Sequence, residues 1–188
     1  MERKITNYIA EFGNLLVKTE VTDADNNSID FADGVAEAIK LITSRASENC
    51  KVIFIGNGGS ASIASHQAID FFRNGRMRAI CFSDSSLLTC LSNDFGYQYV
   101  YEKSIEMFAD KGDILIAISS SGQSENILLG VDAGKKTGCH IITMSGFKPD
   151  NPLRTRGDLN FYVPSNSYGY VEISHLTLCH CMVDMMTE

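Results

Sequence analysis

The period of the apolar positions changes partway along this chain. Over residues 3–20, Ile5, Tyr8, Ile9, Phe12, Leu15 and Leu16 recur at three- and four-residue spacing, which predicts an amphipathic helix. A polar stretch from Thr22 to Ser28 reads as a loop ending in an N-cap. A second amphipathic helix is expected over about 29–48, carrying Ile29, Phe31, Val35, Ala38, Ile39, Leu41 and Ile42. These two helices form an N-terminal helical hairpin. From residue 51 the pattern changes to short apolar runs near 51–55, 78–82, 113–118, 139–144 and 159–163. Helical stretches near 60–73, 86–93, 97–109, 124–137 and 169–187 alternate with them. Such alternation predicts a three-layer α/β fold of the flavodoxin-like kind, a five-stranded parallel sheet with helices on both faces. No linker or fixed-period repeat divides residues 1–188, so a single domain is expected, with the hairpin over 1–48 and the α/β core over 49–188.

Two of the strands run into residues suited to holding an anion. Val52-Ile53-Phe54-Ile55 leads into Gly56-Asn57-Gly58-Gly59-Ser60, and Ile114-Leu115-Ile116-Ala117-Ile118 leads into Ser119-Ser120-Ser121-Gly122-Gln123-Ser124. In each case free backbone N–H groups and hydroxyls converge at a helix start, beyond the carboxyl end of a strand, where α/β sheets bind ligands. Two such cradles in one sheet point to a phosphorylated small molecule.

Composition narrows the classes. With 188 residues, 44% hydrophobic and 21% charged, the chain is neither disordered nor membrane-spanning. The charged start Glu2-Arg3-Lys4 has no apolar block behind it, so a cytoplasmic protein is expected. The six cysteines form no C-x-x-C pair and read as reduced core residues. A formal charge of −7 argues against nucleic acid as a partner. It also disfavours an anion at long range, so local backbone dipoles must hold the phosphate.

Gly56-x-Gly58-x-x-Ala61 also satisfies a loose dinucleotide fingerprint. The acidic residue expected about 20 positions later is out of place at Asp84, and the serine loop has no part in that reading. A serine hydrolase would need a G-x-S-x-G elbow, which is missing here.

Together, Gly56-Asn57-Gly58-Gly59-Ser60 with His66, Ser92-Asn93-Asp94-Phe95-Gly96, Ile118 to Ser124, and a last helix ending in Leu178-Cys179-His180 resemble the sugar-isomerase (SIS) fold, specifically the phosphoheptose isomerases. The resemblance covers nearly the whole chain. It implies conversion of sedoheptulose 7-phosphate to D-glycero-D-manno-heptose 7-phosphate or a related sugar phosphate, serving lipopolysaccharide or capsule synthesis. It also implies a zinc-containing homotetramer with active sites between subunits, the helices of 1–48 packing in that oligomer. Carried over motif by motif, Asn57, Gly58, Gly59, Asn93 and Asp94 contact substrate, and Ser119, Ser120, Ser121 and Ser124 hold the phosphate. His66, Asp70, Glu172 and His180 are implied as metal ligands, with Glu172 beside the substrate, Asp70 as ligand or base and His180 as an acid. The alternative is a non-catalytic protein-binding regulator resembling the DnaA-initiator-associating proteins, which lack the acidic residue and the last histidine. A phosphosugar-sensing domain would normally be fused to another module.

Isomerisation through an enediol needs a base, an acid and a group that stabilises the enediolate, a task a divalent metal can perform. His66 and Asp70, four apart on a helix, share a face expected to open toward the phosphate loop, and zinc accepts that N/O pair. Each residue also has a structural reading. His66 could simply pair with Asp70, the serines could be a polar loop, and His180 could be a satisfied core histidine; His140 and His175 read as structural.

Glu172 and His180 lie eight residues apart, about 12 Å along a helix axis and about 80° around it. They can serve one ion only if they come from different subunits or if the helix begins after Glu172. The family carries glutamate where this chain has Asp70 and glutamine where it has Glu172. The shorter Asp70 carboxylate retreats by about 1 Å, a displacement that can cost on the order of 100-fold in rate. Two carboxylates with two imidazoles would bind Zn²⁺ more tightly and weaken its Lewis acidity. Segments 71–75 and 168–170 also depart from the family pattern, which leaves the sugar open.

Overall fold

In a computed structural model that describes residues 1–187, the chain runs through α1 (Glu2–Leu16), β1 (Glu20–Asp23), β2 (Ser28–Ile29), α2 (Phe31–Ser47), β3 (Lys51–Gly56) and α3 (Gly59–Arg73). It continues through β4 (Arg78–Cys81), α4 (Ser85–Phe95), α5 (Val100–Phe108), β5 (Ile114–Ser119) and α6 (Glu125–Thr137). The last elements are β6 (His140–Ser145), β7 (Leu159–Tyr162) and α7 (Tyr168–Thr187). The sheet order is β2-β1-β7-β6-β5-β3-β4. Its five core strands, β7 to β4 in that order, run parallel as the alternation predicts.

The sheet is wider than expected. Residues 22–28, read as a loop, belong to an antiparallel hairpin that adds β1 and β2 to the edge of β7, with Val21 opposite both Phe161 and Ile29. The Asp23 carboxylate accepts the N–H groups of Asp25 and Asn27, and Asn26 takes a left-handed φ of 63°, so the polar residues form the turn. A strand with one apolar anchor derives its conformation from pairing with β7, a tertiary effect that local pattern does not carry. The cap of α2 is accordingly Asp30, whose side chain accepts the Ala32 N–H at 2.9 Å, not Ser28.

The core strands are apolar at successive positions because helices cover both faces. Val52, Phe54, Ile116 and Ile142 pack with Ala38 and Ile42 of α2, Ala64 and Phe71 of α3 and Leu178 of α7. Ile53, Ile55, Leu115 and Ile141 turn the other way, toward Tyr101 and Ile105 of α5 and Ile127 and Val131 of α6. Truncating a side chain such as Phe54 to alanine costs about 3–5 kcal/mol in such a core.

Two arrangements set up the site. β3 pairs with β4 on one side and with β5 on the other, so the chain reverses direction across the sheet between β3 and β5, with Gly56 opposite Ile118. The two cradles therefore emerge side by side. α3 and α7 pack together and run parallel, Gly59 lying against Glu172 and Asp70 against His180.

α1 is held loosely, with no residue of it buried. Tyr8 stacks on Tyr170 with ring centroids 4.5 Å apart, while Ile5 and Ile9 stay exposed. Among the described residues no helix is long and apolar enough to cross a membrane. All six cysteines are free; Cys139 and Cys179 are buried as expected, whereas Cys90 and Cys181 are exposed and do not belong to the core.

Candidate active site

The first cradle begins where β3 ends. The Gly56 carbonyl accepts a hydrogen bond from the Tyr101 hydroxyl, whose burial pushes its pKa up to about 12. Gly58 has φ of 52° and ψ of −121°, a backbone shape that side chains resist, and α3 starts immediately after it. The first amides of α3 have no intrahelical acceptor and face the opening.

In the second cradle Gly122 has φ of 63°, and its N–H donates to the Ser119 carbonyl at 3.0 Å. A methyl group on Gly122 would overlap the side chain of Asn151, which donates to Ser145 Oγ, to Gly146 O and to Lys148 O. Ser120 Oγ is buried with no hydrogen-bond partner among the described residues. An orphaned buried hydroxyl is costly, and an anion in the loop would satisfy it.

The loops meet in a cavity of about 250 Å³ lined by Asn57, Gly58, Gly59 and Ser60, by Ser119, Ser120, Ser121 and Ser124, and by Tyr168 and Glu172 of α7. Every residue predicted from the two loops is therefore present, and Glu172 joins them. Ser60 and Tyr168 were not named as site residues; Ser60 lay within the glycine motif, and Tyr168 within the segment 168–170 that departs from the family pattern. Asn57 differs in detail from the expectation. Its side-chain amide exchanges hydrogen bonds with Asn126 at 2.8 and 2.9 Å and accepts the Tyr97 hydroxyl at 2.9 Å. The Asn57 side chain thus braces the loop, leaving mainly its backbone to face the cavity.

His66, Asp70 and His180 come together, with potential ligand atoms all within 4.8 Å of one another. Asp70 Oδ2 lies 3.6 Å from His66 Nε2 and 3.1 Å from His180 Nδ1. The shared face of His66 and Asp70 does not open toward the phosphate loop of its own chain, as expected, but toward α7. Seven residues of α3 separate Gly59 from His66, about 10 Å along the axis. α7 is one continuous helix from Tyr168, so the option of a helix starting after Glu172 is ruled out. In this chain Glu172 stands with the serine loop, apart from the trio.

Asn93 and Asp94 are not brought to the cavity. They lie exposed on the last turn of α4, Asn93 Nδ2 donating to Asp94 Oδ1 at 2.9 Å, with Phe95 and Tyr97 exposed beside them. The reason is placement: α4 follows β4 at the sheet edge, one strand away from the cradle loops. The two remaining histidines lie outside the cavity and outside the trio. His175 is fully buried, its Nε2 is 3.1 Å from the Ser145 carbonyl, and burial pushes its pKa down to about 4. His140 lies 3.8 Å from Asp158 at the opposite end of the sheet.

Comparison with known proteins agrees with this architecture. The SIS domain family matches residues 7–146. A phosphoheptose isomerase of Cytophaga hutchinsonii is 34% identical over 162 residues, 83% of this chain and 84% of that one. The phosphoheptose isomerase of Yersinia pestis strain Pestoides F is 31% identical, over 92% and 95% of the two chains. Among solved structures, the phosphoheptose isomerase of Neisseria gonorrhoeae superposes with a TM-score of 0.84 at 25% identity, covering 98% of each chain. That of Francisella tularensis gives 0.83 at 25% identity, covering 99% of this chain and 97% of the other. These matches set aside the non-catalytic regulator. The chain belongs to the phosphoheptose isomerase family, a branch of the SIS domain proteins, and is an isomerase.

Proposed function

We propose that this protein interconverts a ketose phosphate and its aldose isomer through an enediol, the substrate being sedoheptulose 7-phosphate or a closely related sugar phosphate and the aldose D-glycero-D-manno-heptose 7-phosphate or its counterpart. The observation that carries this reading is the meeting of two anion cradles in one cavity whose wall holds a carboxylate. The phosphate end is taken by the serine hydroxyls and by the first amides of α3 and α6, donors that match an anion without a cationic side chain. The names of the relatives support the substrate class. Such a phosphorylated intermediate suits a cytoplasmic enzyme supplying precursors for lipopolysaccharide or capsule.

His66, Asp70 and His180 would hold zinc. Tetrahedral bonds of about 2.1 Å place neighbouring ligand atoms about 3.4 Å apart, and the measured 3.6 and 3.1 Å bracket that spacing. A zinc ion bound there would supply a Lewis acid for the enediolate oxygens, with a fourth position left open as in catalytic sites.

Within one chain the trio stands about 10 Å along α3 from the turn that faces the serine loop, and none of its three residues lines the cavity. We therefore infer a homo-oligomer, a tetramer by family resemblance, in which the trio of one copy completes the cavity of another. The bare apolar face of α1 and the exposed Asn93, Asp94, Phe95 and Tyr97 support such packing. A fourth ligand from Glu172 could reach that ion only across such an interface.

The test is incubation with sedoheptulose 7-phosphate in deuterium oxide. An aldose product labelled at C2 is expected by NMR; absence of turnover with every phosphoketose offered would overturn the proposal.

A further inference from the structure

We propose that Glu172, rather than Asp70, is the carboxylate that moves the proton between C1 and C2; this inference rests on the isomerase reading above and assigns its base. Among the described residues, Glu172 is the one carboxylate lining the cavity that contains the serine loop. Its carboxylate lies directly over the first turn of α3, where a Cβ on Gly59 would fall 2.6 Å from both Cδ and Oε2 of Glu172. Asp70 is placed differently. Its Oδ2 lies between two imidazole nitrogens, the position of a ligand or of a charge partner for them. A base so engaged would have to release both partners to take a proton, whereas Glu172 faces the cavity directly.

The step balances without a further reactant. The Glu172 carboxylate removes a proton from C1 of the ketose, the C–H electron pair becomes the C1=C2 bond, and the oxygen on C2 takes the proton of the substrate's own O1 hydroxyl. The C1=O bond then forms as the C1=C2 pair takes the proton back from Glu172 at C2. The aldose is an isomer of the starting ketose, and Glu172 ends as it began.

The experiment compares E172Q, E172A and D70N with the unmodified protein, measuring turnover, C2 deuterium incorporation and zinc per chain after dialysis against zinc. For E172Q the expected result is a loss of at least 1,000-fold in kcat and in exchange, with zinc content and oligomeric state unchanged. In E172A, added formate should restore part of the exchange, since a small carboxylate fits the vacated space; a merely structural role would not be rescued. D70N should lose zinc. If the unmodified protein turns over the substrate while E172Q keeps more than a tenth of its rate, the assignment of the base is overturned and the isomerase reading stands. Loss of zinc in E172Q would overturn it as well, by making Glu172 a ligand. Failure of the unmodified protein with every phosphoketose would overturn the reading beneath it.

Discussion

The side chains of Asn57 and Asn126, 69 residues apart in sequence, form a reciprocal amide pair at 2.8 and 2.9 Å. One belongs to the glycine loop after β3, the other to the first turn of α6 after the serine loop, so the pair ties the two loops together. Replacing Asn126 with alanine should raise KM for the phosphosugar about tenfold while changing kcat less, because the donors remain but their spacing relaxes. Stability should fall by about 1–2 kcal/mol for the lost hydrogen bonds. Steady-state kinetics beside thermal unfolding checks both parts. N126D should be worse than N126A, since it removes the donor and sets a carboxylate against Asn57 Oδ1.

Metal dependence is the second expectation. Treatment with a chelator should abolish turnover, and zinc should restore it. H66A and D70N should each weaken zinc retention at least tenfold, because each removes one of the three side chains proposed as ligands, which one chain brings together. Metal analysis after dialysis distinguishes this from loss of folding, which circular dichroism would report.

His175 should make the fold acid-labile. Its folded-state pKa is depressed to about 4 by burial, so the unfolded chain binds this proton first as pH falls. Stability from this residue is therefore intact above its unfolded pKa near 6.5 and is lost on descending toward 4, reaching about 2 kcal/mol at pH 5. H175M should flatten that part of the profile in urea unfolding between pH 7 and pH 5, at the expense of the bond to the Ser145 carbonyl. An unchanged slope would count against this origin.

The exposed face of α1 should matter for assembly. Ile5 and Ile9 are 60% and 62% exposed in the single chain. The double substitution I5E/I9E should leave the monomer folded, since neither side chain enters the core, but shift the elution volume toward a smaller species and reduce turnover. Size-exclusion chromatography with light scattering reads the first effect. A variant that remains the same size and fully active would remove α1 from the interface.

Much of the fold was legible because the signals were local. The apolar runs at 51–55 and 113–118 could be strands of only one kind, buried on both faces, and Gly58 and Gly122 mark turns wherever the chain folds. The β1 strand was not legible, because Val21 has almost no apolar company in sequence and meets Phe161 only across the sheet. Asn126 was missed for a similar reason, being an ordinary helix residue until Asn57 lies opposite it.

The primary structure by itself determined the order of the core strands and helices from residue 51 onward, the glycine- and serine-rich loops and the residue types available for acid–base and metal chemistry, since these follow from spacing and side-chain chemistry over a few residues. Only the tertiary structure decided which of them stand together: strand order set the cradles side by side, and the parallel packing of α3 on α7 put Glu172 with the serines and His180 with Asp70. Those choices depend on contacts between residues more than 60 positions apart, whose pairing is decided by how whole helices and strands bury their faces.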